Sequence, residues 1–322
     1  MDCLPEPIAI LEGRCSAQRQ RTSALDGGII RHRHIVTASA ISNTEVSAAA
    51  REILQPHAPH RGCRGWRRPI RSLHQRFTRV IVPLHHASPV AFNPALPGTG
   101  DGDWRTALGG EALWSPKPGP LLIVSPHPDD EVLGAGGLIR IWSERGHRVI
   151  VLSVTDGEAA YPDWQGLDLI RRGELDQALA TLCSRPVRAV RLAIPDGRVR
   201  MKMMVLICAL RKLCESGPTL VAPFEADGHP DHEAVASACL AVATDLGLPI
   251  ARYPIWAWHH AQPAAFADGR WGRFALDAGT QAAKCAAMNC FTSQLNPGDS
   301  REPIVPAHVL EYFKRDYEAF LV

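Results

Sequence analysis

At 322 residues, 46% of them hydrophobic, the chain is long enough for one large domain or two ordinary ones with a sizeable core. Its formal net charge of +2 argues against a nucleic-acid-binding protein, but residues 1–90 hold 13 Arg, no Lys and 6 Asp or Glu, a local charge of +7, so the remainder carries −5. Nine cysteines, an odd number without a CxxC pair, argue against a disulfide framework or zinc ribbon; several fall in amphipathic patterns as small core residues, which points to a reducing cytoplasmic compartment. No run approaches the roughly 18–20 apolar residues of a bilayer span, and the opening lacks the charged-then-apolar order of a secretory signal. Arg-rich and Lys-free, it imitates an organellar transit peptide, but Pro, Gly and acidic residues interrupt any amphipathic face.

Residues 1–93 show no sustained helical or strand period and read as a poorly structured Arg-rich extension. A start codon assigned too far upstream produces such a segment; alternatively, Arg61, Arg64, Arg67 and Arg68 form an anion-binding patch. Residues 94–118 read as a Pro- and Gly-rich linker followed by a short helical lead-in over 104–114. From 119 to 322 short apolar runs alternate with helical ones, the pattern of an α/β domain with a mainly parallel sheet and helices on both faces, Rossmann-like in outline. Strands are predicted at 121–125, 148–155, 187–192, 219–223 and 250–258, and helices at 132–145, 169–183, 199–215 and 231–246. Two closing helices are predicted at 279–290 and 306–320. Gly134, Gly136 and Gly137 fall short of a dinucleotide fingerprint and suit close packing of a helix on a strand.

The first strand, LLIVS, runs into Pro126-His127-Pro128-Asp129-Asp130-Glu131, and the fourth, TLVAP, into a turn ending His229-Pro230-Asp231-His232. Both turns therefore lie at carboxyl ends of parallel strands, where open α/β sheets bind their ligands. Pro230 suits a first helical turn, and the i, i+3 spacing carries His229 and His232 toward one side of the helix entrance. His127, Asp130 and His232 supply two imidazoles and a carboxylate, a three-ligand set for Zn2+ that leaves a position for water; iron or another divalent ion accepts the same donors. Asp129, beside a ligand but facing elsewhere, suits the general base. His229 suits oxyanion stabilisation, with Asp231 orienting its ring.

SPHPDDEVLGAGG and GHPDHEAV resemble the two signature motifs of the PIG-L, or LmbE-like, family of zinc deacetylases, over about residues 121–294. The resemblance implies the same ligands, His127, Asp130 and His232, and the same base, Asp129. It also implies the substrate class, an N-acetylglucosamine-type amino sugar in a glycolipid, thiol cofactor or antibiotic. Arg171, in RRGEL, resembles a family arginine that contacts the sugar, and a solvated helix face explains it as well. Asp196, in IPDG, reads as a hydroxyl acceptor or a turn residue. Lys284, Ser293 and Gln294 resemble a family pattern that places a His shortly before Ser-Gln, where this chain has Phe291 and Thr292. Where some members have a Tyr two residues before the first His of the second motif, this chain has Asp227, expected at the substrate contacts.

His259 and His260 are candidates for the cleft wall, and Trp256 and Trp258 for core rather than sugar platforms. The reading is a metal-dependent N-deacetylase acting on a small-molecule amino sugar. An amidase for a larger conjugate, and a non-catalytic sugar- or nucleotide-binding module on the same scaffold, are the alternatives. The sequence does not specify an oligomeric state.

Overall fold

A computed structural model describes residues 93–266, 269–298 and 300–322. The predicted extension lies, apart from Asn93, outside the described residues, and with it Arg61, Arg64, Arg67 and Arg68. Helix α1 (Asp101–Leu108) is followed by β1 (Leu121–Ser125), α2 (Asp130–Glu144), β2 (Val149–Ser153), α3 (Leu167–Leu182), β3 (Arg188–Arg191), α4 (Met203–Leu213), β4 (Thr219–Pro223) and α5 (Pro230–Leu246). After these come β5 (Ile250–Tyr253), α6 (Ala257–His260), β6 (Trp271–Ala275), α7 (Ala278–Met288), α8 (Thr292–Leu295), α9 (Ala307–Leu310) and β7 (Tyr317–Leu321).

The strands form one sheet in the order β3-β2-β1-β4-β5-β7-β6, with β3 through β5 parallel and β7 antiparallel to both β5 and β6. Strand side chains alternate between two cores. Leu121, Ile123, Val151 and Val221 pack against Val132, Leu138, Trp142, Leu175 and Leu179 of α2 and α3. Leu122, Val124, Leu152 and Leu220 pack against Leu206, Leu210, Val235 and Val242 of α4 and α5. Covered on both faces, the central strands are continuously apolar, as parallel strands must be. The glycines serve the predicted close packing: a Cβ on Gly134 would stand 2.2 Å from the Tyr253 ring, and one on Gly137 2.3 Å from Leu276.

Four differences from the sequence reading have physical causes. Strand β5 stops at Tyr253 rather than continuing to 258, because Pro254 offers no N–H and the next three amides, of Ile255, Trp256 and Ala257, donate to the buried carboxylate of Asp227. The predicted helix over 306–320 is instead the single turn α9, a 3-10 turn at Glu311–Phe313 and strand β7. YEAFL is a short apolar run whose period does not separate helix from strand, and the free edges of β5 and β6 decide it. Strand β6, WGRFA, was not predicted and forms the outer edge. The lead-in helix predicted over 104–114 lies instead at Asp101–Leu108, where docking sets its place: Trp104 is fully buried, packs edge-on against Trp258 and Phe266, and donates its ring N–H to the Trp258 carbonyl at 2.7 Å.

Helix α2 breaks at Ala135 (φ −143°, ψ 19°), and the amides of Gly137 and Leu138 beyond the break donate to Glu318 Oε1 and Oε2 at 2.7 and 2.9 Å. Lys284 Nζ lies 2.6 Å from Glu318 Oε1, and both side chains are almost wholly buried. Glu318→Ala should therefore strand a buried ammonium and two amides together and lower stability by about 3–5 kcal/mol, read as a lower midpoint in urea unfolding. Lys117→Ala, at an exposed position, should shift it by less than about 0.5 kcal/mol.

Candidate active site

The chain winds outward from β1 to β2 and β3, then returns to lay β4 on the other side of β1. The β1–β4 boundary is thus a topological switch point, and the turns after these two strands open into the same crevice. Pro126 and Pro128 bracket His127 in the first turn, and α5 starts with His229 as its N-cap and Pro230 in its first turn.

Three donor atoms from these turns face one point. His127 Nδ1 lies 3.3 Å from Asp130 Oδ2, His232 Nε2 lies 3.2 Å from the same oxygen, and the two ring nitrogens are 3.2 Å apart. An ion held tetrahedrally at zinc-to-nitrogen and zinc-to-oxygen distances needs ligand atoms about 3.3–3.5 Å apart, so the triangle fits one. The outer ring nitrogens are already engaged: His127 Nε2 lies 3.1 Å from Asp196 Oδ1 and 3.7 Å from Asp231 Oδ2, and His232 Nδ1 lies 2.8 Å from Asp227 Oδ2. Such contacts fix ring orientation and tautomer, leaving the inner lone pairs for an ion.

The electrostatics agree. Burial opposes protonation of His127 and His232, yet Asp130 together with Asp196 and Asp231 around the first, and with Asp227 beside the second, outweigh it; both pKa values rise, that of His232 to about 9. Burial raises the Asp130 carboxyl, but the two imidazoles pull it below the ordinary range. The carboxylates around the two rings thus favour positive charge at the centre of the pocket.

Asp129 has φ 136° and ψ −36°, a strained conformation for a residue with a side chain, at a cost of order 1–3 kcal/mol. Glu131, to which the sequence reading gave no role, helps hold it: its Oε2 accepts the Asp129 amide at 3.3 Å and lies 2.7 Å from Ser125 Oγ. Arg171 lies across the other side, donating to the carbonyls of Pro128 and Gly157 at 2.7 and 3.0 Å and reaching Asp129 Oδ2 at 3.3 Å. Burial, with Asp130 and Glu131 nearby, pushes the Asp129 carboxyl up to about 8, against the pull of Arg171 and His127. His229 Nδ1 accepts the Asp231 amide at 3.2 Å, so its proton sits on Nε2; burial and the adjacent imidazoles push its pKa down to about 2, keeping it neutral.

The crevice holds about 990 Å³ and is lined at its base by His127, Asp129, Asp130, Arg171, Asp196 and His229. Its walls are largely apolar, with Leu133, Tyr161, Ile255, Trp256 and Ile304 among them, and the Tyr161 hydroxyl donates to the Glu302 carbonyl at 2.7 Å to join two of its loops. The 301–308 wall carried no local signal, because Glu302 and the Tyr161 it meets are 141 residues apart in the chain.

Several residues sit elsewhere than expected. Asp227, expected at the substrate, is fully buried, with His232 and three backbone amides around its carboxylate. The Asp231 carboxylate faces His127 rather than the His229 ring, and accepts the amides of Gly197 and Val199 at 2.7 and 3.3 Å. Arg171 borders the crevice, but its guanidinium donates to Gly157, Pro128 and Asp129 rather than outward. Phe291 is core, Ser293 bonds to Glu174, and Lys284 to Glu318. His259 and His260 do not line the crevice; they reach the carbonyls of Leu96 and Asp227, while Trp256 is both core and crevice wall.

Residues 122–243 match the PIG-L family, described as GlcNAc-PI de-N-acetylase. The chain is 30% identical over 137 residues, 40% of its length, to a diacetylchitobiose deacetylase of Thermococcus kodakarensis, and spans about half (51%) of that relative. Among solved structures it is similar to a conserved protein of Thermus thermophilus (28% identity, 63% of this chain, 93% of that one, TM-score 0.44). It is also similar to the N,N'-diacetylchitobiose deacetylase of Pyrococcus horikoshii (24% identity, 62% and 82%, TM-score 0.45).

Two outcomes test the site as an ion site. Because the surrounding carboxylates raise the pKa values of His127 and His232, zinc binding should release protons and tighten as pH rises toward about 9, measured by calorimetry in buffers of different ionisation enthalpy. Asp227→Asn should weaken zinc binding about 10–100-fold while the fold persists, and unchanged affinity would remove its orienting role.

Proposed function

We propose that this chain, whose residues 122–243 carry a PIG-L domain, is a zinc-dependent N-deacetylase that hydrolyses the N-acetyl amide of an amino-sugar-containing substrate. The observation that carries the reading is the 3.2–3.3 Å triangle of His127, Asp130 and His232 donor atoms, with a buried, strained carboxylate, Asp129, beside it. His127, Asp130 and His232 would hold the ion, and the chemistry supplied there when it is bound would be polarisation of the amide carbonyl and acidification of an attacking water. Asp129 takes the proton from that water as it adds to the carbonyl carbon, then returns it to the departing amine as the C–N bond breaks. His229, neutral and protonated on Nε2, donates to the carbonyl oxygen as negative charge builds on it.

The remaining residues position these. Asp196 and Asp231 hold the His127 ring, Asp227 holds His232, and Arg171 with Glu131 fixes the Asp129 turn. Asp196 also borders the crevice, where an oxygen can accept a sugar hydroxyl. The amino-sugar class rests on the PIG-L match and on the T. kodakarensis diacetylchitobiose deacetylase relative. No described helix is long and apolar enough to cross a membrane. The six described cysteines are free, which supports a reducing, cytoplasmic location.

Amine release from N-acetylglucosamine derivatives, with chelator and zinc add-back, tests the activity. Asp129→Asn should keep zinc at one equivalent yet lower kcat by about 10²–10⁴-fold, and full activity in that variant would refute the assigned base. Because Asp129 works ionised and its burial raises its pKa, turnover should fall as pH drops, with a midpoint above the ordinary carboxylate value of about 4. His229→Ala should lower kcat by about 10²-fold or more with zinc content unchanged.

A further inference from the structure

At the opposite end of the sheet from the crevice, the turns that lead into β2 and β3 lie side by side, because these strands pair in register from Ile150 and Arg188. Between them is a notch of about 370 Å³, bordered by Arg148, Arg185 and Arg188 together with His147. Val149, Ile150 and Val187 also line it. Gly146 turns with φ +82°, and the Arg185 guanidinium lies 3.6 Å from where a Cβ there would stand, so the side chain lies across the bare turn. Next to Gly146, Arg145 stands 5.6 Å above the Trp142 ring, and the His147 ring lies 5.2 Å from the same ring, tilted by 31°.

Among the described residues, no carboxylate pairs with Arg145, Arg148, Arg185 or Arg188, whereas Arg105, Arg140, Arg172, Arg191, Arg211 and Arg252 each have one. The acid on the turn itself, Glu144, is taken by Arg140 at 3.0 Å. Helix-end carbonyls do not account for the cluster either, since Arg140 already donates to the Leu182 carbonyl that ends α3. Residues 91–322 carry a net −5, so three arginines without a carboxylate partner bordering one concavity are a local reversal of sign. Like charges held together repel, and a multivalent anion relieves that repulsion.

We infer that this notch is a second binding site, for a clustered phosphoryl group such as a diphosphate. Guanidinium forks match phosphate oxygens in pairs, and three of them bordering a cavity of this size accommodate two adjacent phosphoryl groups better than a single carboxylate. Five-residue strands separate the notch from the crevice by about 17 Å, so it docks a phosphorylated molecule and takes no part in hydrolysis. The same chemistry is offered by a soluble phosphoester and by a phosphorylated lipid headgroup.

Titration of inorganic pyrophosphate into the zinc-loaded full chain at low ionic strength is the test. One equivalent should bind and weaken as salt rises, and Arg148→Glu/Arg185→Glu should weaken this binding at least tenfold. Lys117→Glu/Arg270→Glu, an equal charge change at two exposed positions, should leave it intact. Arg148→Gln/Arg185→Gln should repeat the loss should the reversed pair not fold. Retention on phosphatidylcholine vesicles containing phosphatidylinositol 4-phosphate, lost in the same variants, assigns a headgroup, whereas pyrophosphate binding without vesicle retention assigns a soluble phosphoester. Absence of pyrophosphate binding, binding that survives the notch variants, or equal loss in the control pair overturns the site.

Discussion

Five carboxyl groups, of Asp129, Asp130, Glu131, Asp227 and Asp231, are packed with His127 and His232 where less than a tenth of each residue meets solvent. A group of acids that dense is unstable without a compensating cation, and the details of the crevice follow from that need. Two imidazole rings are turned inward by outer carboxylates, and Asp130 completes the triangle with them. The loop bearing Asp129 is tied on one side by Glu131 and on the other by Arg171. The raised pKa values of His127 and His232 express the same demand for positive charge.

The fold brings the acids together through its strand order. Because β4 returns to lie against β1, the turns after these two strands are neighbours although His127 and His232 are 105 residues apart. Each turn is stiffened by proline and followed at once by a helix, so its side chains inherit the rigidity of the sheet. On the far edge, β6 and β7 close the sheet, and Glu318 of β7 caps the broken α2 from within the core. The break in α2 therefore costs no unpaired amide at Gly137 or Leu138.

The opposed ends of the sheet differ in electrical character. The carboxyl ends gather buried acids around a site for a cation; the amino ends of β2 and β3 gather exposed arginines around a concavity. Short turns on a parallel sheet make this separation possible, since each end has its own independent set of loops. One scaffold thereby presents a chemical site and an electrostatic docking site that do not compete.

The sequence by itself determined the class of fold and which two turns carry the candidate ligands. Apolar runs of five residues alternating with helical periods are a local signal, and so are HPDDE and HPDH placed directly after two of those runs. His127, Asp130 and His232 were legible for that reason, and the triangle they form agrees with that reading. Tertiary structure decided what depends on contacts distant in the chain. Asp227 looked like a substrate contact because nothing near it announces that three amides of the β5–α6 turn and the His232 ring meet at its carboxylate. Asp231 turned from the ring two residues before it to the ring of His127, and Glu131 acquired a role through Ser125 and the Asp129 amide. The segment 317–321 became a strand because two sheet edges needed a partner, a condition that no window of its own sequence contains.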